Sequence, residues 1–525
     1  GLGDVYKRQV FSSSFVSNSI CAPSRANLLT GLHSHANGKK TNLGSTFDGG
    51  QQTFPKLLQT AGYDTALIGK WHLYSEPTGF NHYERLIRQG NYYKPVLRTT
   101  QPGGGTSDVV YTGGYIAEVI TDRAINWLEN KRDTSRPFFI MVNHKATHAD
   151  WMPAPDQFSD KAAFDAFEAI DVPEPPSLFD DYATRHTGIE KRWKIGRDLS
   201  LSKLKLFSSQ PGEEYQRMTT QQKTSYNAAY ADLQQAWQTL LESPSTTYED
   251  KTRFKYQRYI KDYARAAQTI DQSVGELLDY LDANNLDRNT IIIYASDQGF
   301  YLGEHQWWDK RWMYEESLST PLLMQWKDGD GNSLITPGSR VDAMVQVIDY
   351  APSILEAAGI SPPRSMHGES FLGLVTSVQD DEPAQWRDSI YYRYYEASTD
   401  QTTPHYGIRN SRYKLIYFHT VGEWELFDLQ HDPNELNNLI DGIDPEQGIP
   451  SDPALHELVV NLMTELRDLR SQYNDTEEPG FSIPVDPPPT PSPISWSASQ
   501  LTGPGDVSTS GTLLEALTLR GANSG

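Results

Sequence analysis

Short apolar runs alternate with amphipathic helical segments through the first several hundred residues, and this alternation restricts the fold more than any other property of the chain. Three runs, at 65–69, 138–142 and 290–295, are apolar and have the length of a strand. Polar residues follow each run at once. Such strands are buried in a sheet that helices cover on both faces, with polar residues at the carboxyl edge. We therefore expect an α/β fold with a large, mixed, mostly parallel sheet sandwiched by helices.

The remainder of the chain changes character several times. Residues 155–255 are polar and rich in Tyr and Gln, which predicts a helical insertion over the sheet. Residues 381–476 contain short β-rich runs and one amphipathic segment, which predicts a smaller antiparallel sheet-plus-helix subdomain. Residues 477–494 are rich in proline and predict a stiff linker. Residues 495–525 read as a tail or as the truncated start of another domain.

The charge of the chain restricts its partners. The 46 Lys and Arg and the 68 Asp and Glu residues give a formal net charge of −22 over 525 residues. This balance argues against nonspecific binding to nucleic acid or to an anionic membrane surface. No apolar stretch approaches the length of a membrane-spanning helix. An anionic ligand would therefore need a local basic pocket.

Cys21 is the only cysteine, so it cannot form an internal disulfide. Pro23 suits the first turn of a helix, and Gly31 can end that helix ten residues later. Arg25 adds a positive charge one turn after Cys21. A nucleophile at a helix N-terminus beside an arginine lies where negative charge is favoured. The alternative interpretation is a buried structural cysteine at the start of a helix.

Two segments carry a family resemblance. The run Cys-Ala-Pro-Ser-Arg at 21–25 resembles the Cys-x-Pro-Ser-Arg signature of the type I sulfatases, and residues 296–317 resemble their second signature. The chain is also similar to bacterial polysaccharide and N-acetylglucosamine-6-sulfatase-like enzymes. The resemblance implies an alkaline-phosphatase-like fold. It further implies that a maturation enzyme oxidises Cys21 to formylglycine, whose hydrate attacks the sulfur of a sulfate ester.

The resemblance also implies roles for residues after the predicted strands. Lys70 and His72 share one face if the chain stays extended. The resemblance implies that Lys70 binds the sulfate group and that His72 contacts the formylglycine. Arg25 would stabilise the aldehyde hydrate. His148 would bind sulfate and protonate the leaving group, whereas His144 would be packed. The implied catalytic residues are Cys21, Arg25, His72 and His148, and the implied substrate-binding residues are Lys70, His148 and Lys310.

Asp297 and Gln298 are the expected metal ligands, because the resemblance places a cation at this strand end. Their oxygen atoms suit Ca²⁺, with Mg²⁺ as the alternative. Glu304 and His305 are candidates for lining a sugar site. Members of the family carry an earlier strand that ends in paired aspartates, which this sequence does not show. We therefore expect weak or no activity from the chain as written.

The same resemblance predicts the domain boundaries of the chain and the location of the protein. Residues 1–9 read as a non-native leader without the pattern of a signal peptide, and 10–380 as an N-terminally truncated catalytic domain. The expected substrate is a sulfated carbohydrate, and the expected location is the periplasm or the extracellular space. Two alternatives stay open. One is a phosphonate or phosphate monoester hydrolase of the same superfamily, and the other is a noncatalytic glycan-binding derivative.

Overall fold

The computed structural model describes most of the chain. The tail predicted at 495–525 lies outside the described residues, as does the linker at 477–494 apart from four residues. The described ranges are 8–189, 193–207, 212–376, 386–397, 402–446, 452–476 and 480–483.

The strands form five separate sheets within these residues. In chain order the strands are β1 (Gln9–Phe11), β2 (Ser14–Phe15), β3 (Asp64–Gly69), β4 (His82–Leu86), β5 (Val96–Thr100), β6 (Thr106–Val110), β7 (Phe138–Asn143), β8 (Ile292–Ala295), β9 (Tyr301–Leu302), β10 (Trp308–Asp309), β11 (Leu322–Gln325), β12 (Arg340–Val341), β13 (Val345–Gln346), β14 (Ser389–Tyr394), β15 (His405–Asn410), β16 (Tyr413–Phe418) and β17 (Glu423–Asp428).

Helices precede, separate and follow these strands. They are α1 (Cys21–Thr30), α2 (Ser34–Asn37), α3 (Phe54–Thr60), α4 (Ile116–Asn130), α5 (Asp156–Ser159), α6 (Lys161–Glu168), α7 (Ile195–Asp198), α8 (Glu213–Arg217), α9 (Thr220–Glu242), α10 (Tyr248–Ala283), α11 (Glu315–Leu318), α12 (Tyr350–Ala357), α13 (Leu372–Thr376) and α14 (Pro453–Gln472). None of the helices in the described part of the chain combines the length and apolar character needed to cross a lipid bilayer.

Two mixed sheets carry the three runs that predicted strands. The first has the order β6-β5-β4-β3-β7, in which β3 runs parallel to β4 and β7, while β5 pairs antiparallel with β4 and β6. The second has the order β12-β1-β11-β8, in which β11 pairs antiparallel with β1 and β8. Gln9, expected to end the leader, is the first residue of β1 and pairs with Met324.

The strands β7 and β8 each pair on one side only within the described residues, β7 with β3 and β8 with β11. Both are apolar, yet their residues are half-buried, whereas every residue of β3 is buried. A cavity of about 1070 Å³ is lined by both strands and by residues of α1, α3, α10 and α12. The cavity explains why two core strands retain solvent exposure.

The insertion predicted at 155–255 is helical. Its long helices start at defined caps, because Thr219 with Gln222 and Thr247 with Asp250 form capping boxes before α9 and α10. The helix α10 packs against α4 and α7. The insertion therefore packs through α10 on α4, and its Glu214 and Lys205 reach the loops that hold Tyr92 and Asp150.

The C-terminal sheet is built from consecutive strands. Its order is β14-β15-β16-β17, and every pair is antiparallel. The helix α14 begins as predicted, because the Asp452 carboxylate accepts hydrogen bonds from the backbone N–H groups of Ala454 and Leu455. Its buried residues pack with those of the sheet in one apolar cluster. The predicted α/β class with a C-terminal antiparallel subdomain is confirmed.

Candidate active site

Cys21 is the first residue of α1 and is fully buried. The preceding residue, Ile20, has extended backbone angles, so the helix starts abruptly at the cysteine. The backbone N–H of Ala22 donates to Oδ1 of Asn42 at 2.9 Å, which satisfies one free amide of the first turn. Gly31 ends the helix with φ 66°, a left-handed angle that favours glycine. The sequence motif thus places the thiol at a helix N-terminus.

Four basic side chains from three segments surround this thiol. Burial raises the pKa of the Cys21 thiol, but the positive charges of Lys310 and Lys70, with smaller contributions from His148 and His72, outweigh burial, so the pKa lies well below its usual value. Lys70 and Lys310 are themselves buried. A negative charge at residue 21 is therefore stabilised by positive groups rather than by solvent.

The chain turns sharply between β3 and His72. Gly69 has φ 105°, and a Cβ atom there would lie 2.1 Å from the carbonyl oxygen of Asn143. The backbone N–H of Lys70 donates to that same oxygen at 2.7 Å. His72 has φ 58°, so the extended backbone expected to put Lys70 and His72 on one face is wrong. The turn nevertheless brings both side chains to Cys21.

Arg25 joins three segments of the site. Its Nε donates to Oδ2 of Asp297 at 2.7 Å, and its Nη1 donates to the carbonyl oxygen of Lys70 at 2.7 Å. The guanidinium group therefore ties α1 to the ends of β3 and β8. The role expected for Arg25 on a modified residue 21 remains a proposal, because these contacts occupy its Nε and one terminal nitrogen.

Gln298 contacts Cys21 directly, since its Nε2 lies 3.6 Å from Sγ. The other amide atom, Oε1, is buried without a hydrogen-bond partner. Together with the neighbouring Asp297 carboxylate, it offers oxygen donors of the kind that Ca²⁺ or Mg²⁺ prefers. The described ranges contain no group of three or more His, Cys, Asp or Glu side chains suited to a metal. The donor type fits a hard cation, and these two residues would form part of its shell.

His148 has a defined neutral form. Its Nδ1 lies 3.1 Å from the carbonyl oxygen of Ala149, and because a carbonyl only accepts, Nδ1 carries the proton. Burial lowers the pKa of His148 to about 4, so Nε2 is unprotonated at neutral pH. Burial also lowers the pKa of His144 to about 4. His144 differs from His148 because both of its ring nitrogens are buried without hydrogen-bond partners. The two rings therefore differ in hydrogen bonding, and the roles expected for His148 and His144 remain predictions.

Lys310 follows β10, and its Nζ lies 3.1 Å from Oδ1 of Asp309. Burial lowers the pKa of Lys310, but Asp309 and Cys21 outweigh it, so the pKa is raised and the ammonium form is held. The two candidate sugar contacts are engaged by the protein. Nδ1 of buried His305 lies 2.7 Å from Asp180, and the Glu304 carboxylate accepts from the backbone N–H of Leu302.

Several residues of the site could not be found from sequence. Asn42 lies in a loop without a motif, and the Tyr74 hydroxyl lies 3.5 Å from Nε2 of His72. Tyr92 and Lys145 contact the loop that carries His148. The one available signal was the position of Lys145 inside the strand-end run that predicted His148.

Comparisons with known proteins agree with this geometry. The family model "Sulfatase" matches residues 5–360, and the model "N-sulphoglucosamine sulphohydrolase, C-terminal" matches residues 303–472. The chain is 40% identical over 447 residues to an N-acetylglucosamine-6-O-sulfatase from Bacteroides thetaiotaomicron, with 82% of this chain and 75% of that protein covered. It is 24% identical over 492 residues to human N-acetylglucosamine-6-sulfatase, with 83% and 76% covered.

Solved structures agree as well. One, described as a complex with its substrate D-glucosamine-2-N,6-O-disulfate, superposes with a TM-score of 0.81 at 36% identity, covering 91% of this chain and 93% of that chain. The phosphonate monoester hydrolase of Agrobacterium radiobacter shares the fold, with a TM-score of 0.59 at 17% identity and 90% of each chain covered. The motifs, the site and these matches show that the chain belongs to the sulfatase family.

Proposed function

We propose that this sulfatase removes sulfate from a sulfated carbohydrate, with a 6-O-sulfated glucosamine unit as the first substrate to test. The observation that carries the proposal is the convergence of two ammonium groups and two imidazoles on the buried side chain of residue 21. The names of the relatives support the sugar class. The proposed setting is the periplasm or the extracellular space, and the proposed maturation partner is a formylglycine-generating enzyme.

The ammonium groups of Lys70 and Lys310 bind the sulfate oxygens in this proposal. Both are buried and both act on residue 21, so a sulfate ester between them would have its sulfur beside that residue. Their positive charge gives an anionic substrate a local basic pocket in a chain whose net charge is −22. Positive groups fixed in a buried site stabilise the growing negative charge of a transition state more strongly than they would in water.

The two histidines move protons. Formylglycine, when present at residue 21, supplies the oxygen nucleophile for attack on sulfur. His72 lies beside residue 21, where it can accept a proton from that residue. His148 is neutral in the free enzyme, with its lone pair on Nε2. A bound sulfate raises the pKa of His148, so Nε2 takes up a proton that it then donates to the leaving alkoxide oxygen.

Asp297 and Gln298 would hold the cation through a carboxylate oxygen and Oε1. A bound Ca²⁺ or Mg²⁺ would supply positive charge beside residue 21. Arg25 orients the Asp297 carboxylate through its 2.7 Å contact. Removal of divalent cations with a chelator is therefore expected to lower turnover, and addition of Ca²⁺ is expected to restore it.

A substrate panel with a mass measurement tests this proposal. Protein coexpressed with a formylglycine-generating enzyme would be assayed on N-acetylglucosamine 6-sulfate, 4-nitrophenyl sulfate and an aryl phosphonate. Conversion of Cys21 lowers the intact mass, which identifies the modified fraction. We expect turnover of the sulfate esters by that fraction alone. Faster turnover of the phosphonate would favour the other hydrolase class. Because weak activity is expected of the chain as written, the assay would also use a chain extended by the family's strand with paired aspartates, and modified protein of that extended form without turnover on any ester would contradict the proposal.

A further inference from the structure

The loop at 148–153 carries His148 and is held through its backbone carbonyl groups. Six consecutive carbonyl oxygens each accept a hydrogen bond from a side chain, although the loop has no regular secondary structure. The donors are Tyr92 to His148, Lys145 to Ala149, Lys205 to Asp150 and Trp151, Tyr115 to Met152, and Tyr93 to Pro153. We call this set the carbonyl clamp. It satisfies buried backbone groups that a helix or sheet would otherwise satisfy.

The end of the clamp nearest His148 rests on the helical insertion. The carboxylate of Glu214, in α8, accepts hydrogen bonds from the backbone N–H groups of Tyr92 and Tyr93 at 2.9 and 3.1 Å. The ammonium group of Lys145 lies 4.8 Å from the centre of the Tyr92 ring. The insertion thus fixes Tyr92, and Tyr92 in turn contacts both Lys145 and the carbonyl of His148.

We propose that Tyr92 and Lys145 are positioning residues that orient the imidazole of His148 for proton transfer. Tyr92 fixes the carbonyl of His148 itself. Lys145 donates to the carbonyl of Ala149 at 3.1 Å, and that same oxygen accepts the proton on Nδ1 of His148. If the Ala149 carbonyl turns away, Nδ1 loses its acceptor and the proton is free to sit on either ring nitrogen. The catalytic part of this inference rests on the function proposed above for His148.

The clamp supplies its own matched control. Tyr93 and Tyr92 are neighbours, both are fully buried, and each hydroxyl donates to a carbonyl of the same loop. The Tyr93 contact lies five residues from His148, at Pro153. Tyr92→Phe and Tyr93→Phe remove the same atom from similar surroundings, so a general loss of loop stability affects both. An effect specific to Tyr92 requires the connection to His148.

The first experiment observes His148 without turnover. Histidine labelled with ¹⁵N reports which ring nitrogen is protonated, and a His148→Gln spectrum assigns the signal. In the wild-type protein at pH 7 we expect the proton on Nδ1. In Tyr92→Phe and Lys145→Met we expect a mixture of both neutral forms, and in Tyr93→Phe and Lys145→Arg the wild-type form. An unchanged signal in Tyr92→Phe and Lys145→Met would overturn the proposal.

The second experiment separates proton donation from general damage. A sugar alkoxide needs a proton on leaving, whereas 4-nitrophenolate leaves without one. For Tyr92→Phe and Lys145→Met we expect kcat on the sugar sulfate to fall by about 10- to 100-fold, with a much smaller change on 4-nitrophenyl sulfate. Equal losses on both esters, or the same loss in Tyr93→Phe, would refute a positioning role. A wild-type enzyme inactive on every sulfate ester would contradict the proposed function instead, while the spectra would still decide the positioning.

Discussion

The C-terminal sheet and the pair of strands that lead into the site are built in opposite ways. The strands β14 to β17 follow one another in the chain and each pairs with the next, so the contacts are local and the core residues are fully buried. The strands β7 and β8 belong to different sheets, lie some 150 residues apart in the chain, and line one cavity. Their apolar side chains stay half-buried.

The difference indicates that the C-terminal subdomain contributes mainly to stability, whereas the strands at the site contribute to catalysis. Local antiparallel pairing and α14 give the C-terminal subdomain a closed apolar core without ionisable groups of the site. The site instead collects charged groups from distant segments, and the burial of Arg25 and Lys310 is offset by the carboxylates of Asp297 and Asp309. We expect changes in the C-terminal core to lower stability and leave the catalytic rate unchanged. We expect changes at residue 21 to lower the catalytic rate and leave stability unchanged.

The largest expected effect is at Cys21. In Cys21→Ala we expect kcat on a sulfate ester to fall on the order of 10⁴-fold or more, because the residue that becomes the nucleophile is gone. The melting temperature should change by less than about 2 °C, since only one small buried side chain shrinks. Thermal melts and initial rates on matched preparations measure both quantities. Retention of more than a tenth of the activity would contradict a catalytic role for this residue.

The reverse result is expected at Leu426, which is fully buried and pairs across the C-terminal sheet with Leu415. Leu426→Ala should lower the free energy of unfolding by about 2–5 kcal/mol, because it leaves a cavity in a closed core. The kcat per folded molecule should stay within about twofold of the wild-type value. Denaturant titration with activity assays measures this. A large loss of kcat in fully folded Leu426→Ala protein would contradict the proposed separation between stability and catalysis.

A smaller effect tests the contact between the two regions. Nε2 of buried His405 accepts from the backbone N–H of Met313 at 3.1 Å, and its Nδ1 donates to the Thr403 carbonyl. Burial lowers the pKa of His405 to about 3, below its value of about 6.5 in an unfolded chain. The unfolded state therefore binds more protons between these values, and stability is lost as the pH falls from about 6.5 towards 3.

His405→Gln removes this titration. We expect its melting temperature to fall less steeply than that of the wild type between pH 6 and 4, although it starts lower at pH 7. Melts at constant ionic strength would show the difference in slope. His148 and His367, whose pKa values burial also lowers to about 4, keep part of the acid sensitivity in both proteins. Identical slopes would mean that protonation of His405 does not contribute to the loss of stability at low pH.

Part of the fold followed from the sequence because its signals are local. The runs at 65–69, 138–142 and 290–295 form the strands β3, β7 and β8 with boundaries within two residues, and Asp452 with Pro453 begins α14 as predicted. The antiparallel extension from β4 to β6 and the strand β15 were not predicted, because short polar strands lack a clear hydrophobic pattern. Which sheet each strand joins depends on pairing between distant segments.

The site, like the fold, could be predicted only where its sequence signals are local. Gln298 and Lys310 of the second signature motif lie beside Cys21 of the first, which the motifs could indicate. The left-handed turn at His72 and the links from Arg25 to Asp297 and Lys70 could not be predicted. The carbonyl clamp was invisible for a physical reason. Apart from the bond from Lys145 to Ala149, its hydrogen bonds join side chains to backbone oxygens across large sequence distances. Contacts of that kind produce no periodic pattern in the sequence.

The half-paired strands β7 and β8 have a consequence for how the protein behaves when concentrated. Within the described residues, each presents one row of backbone donors and acceptors that no neighbouring strand satisfies, beside apolar side chains. Such an edge is a template on which another chain can add. Self-association should therefore rise steeply with protein concentration and be seeded at this cavity, so dilute storage will limit it more than cooling alone.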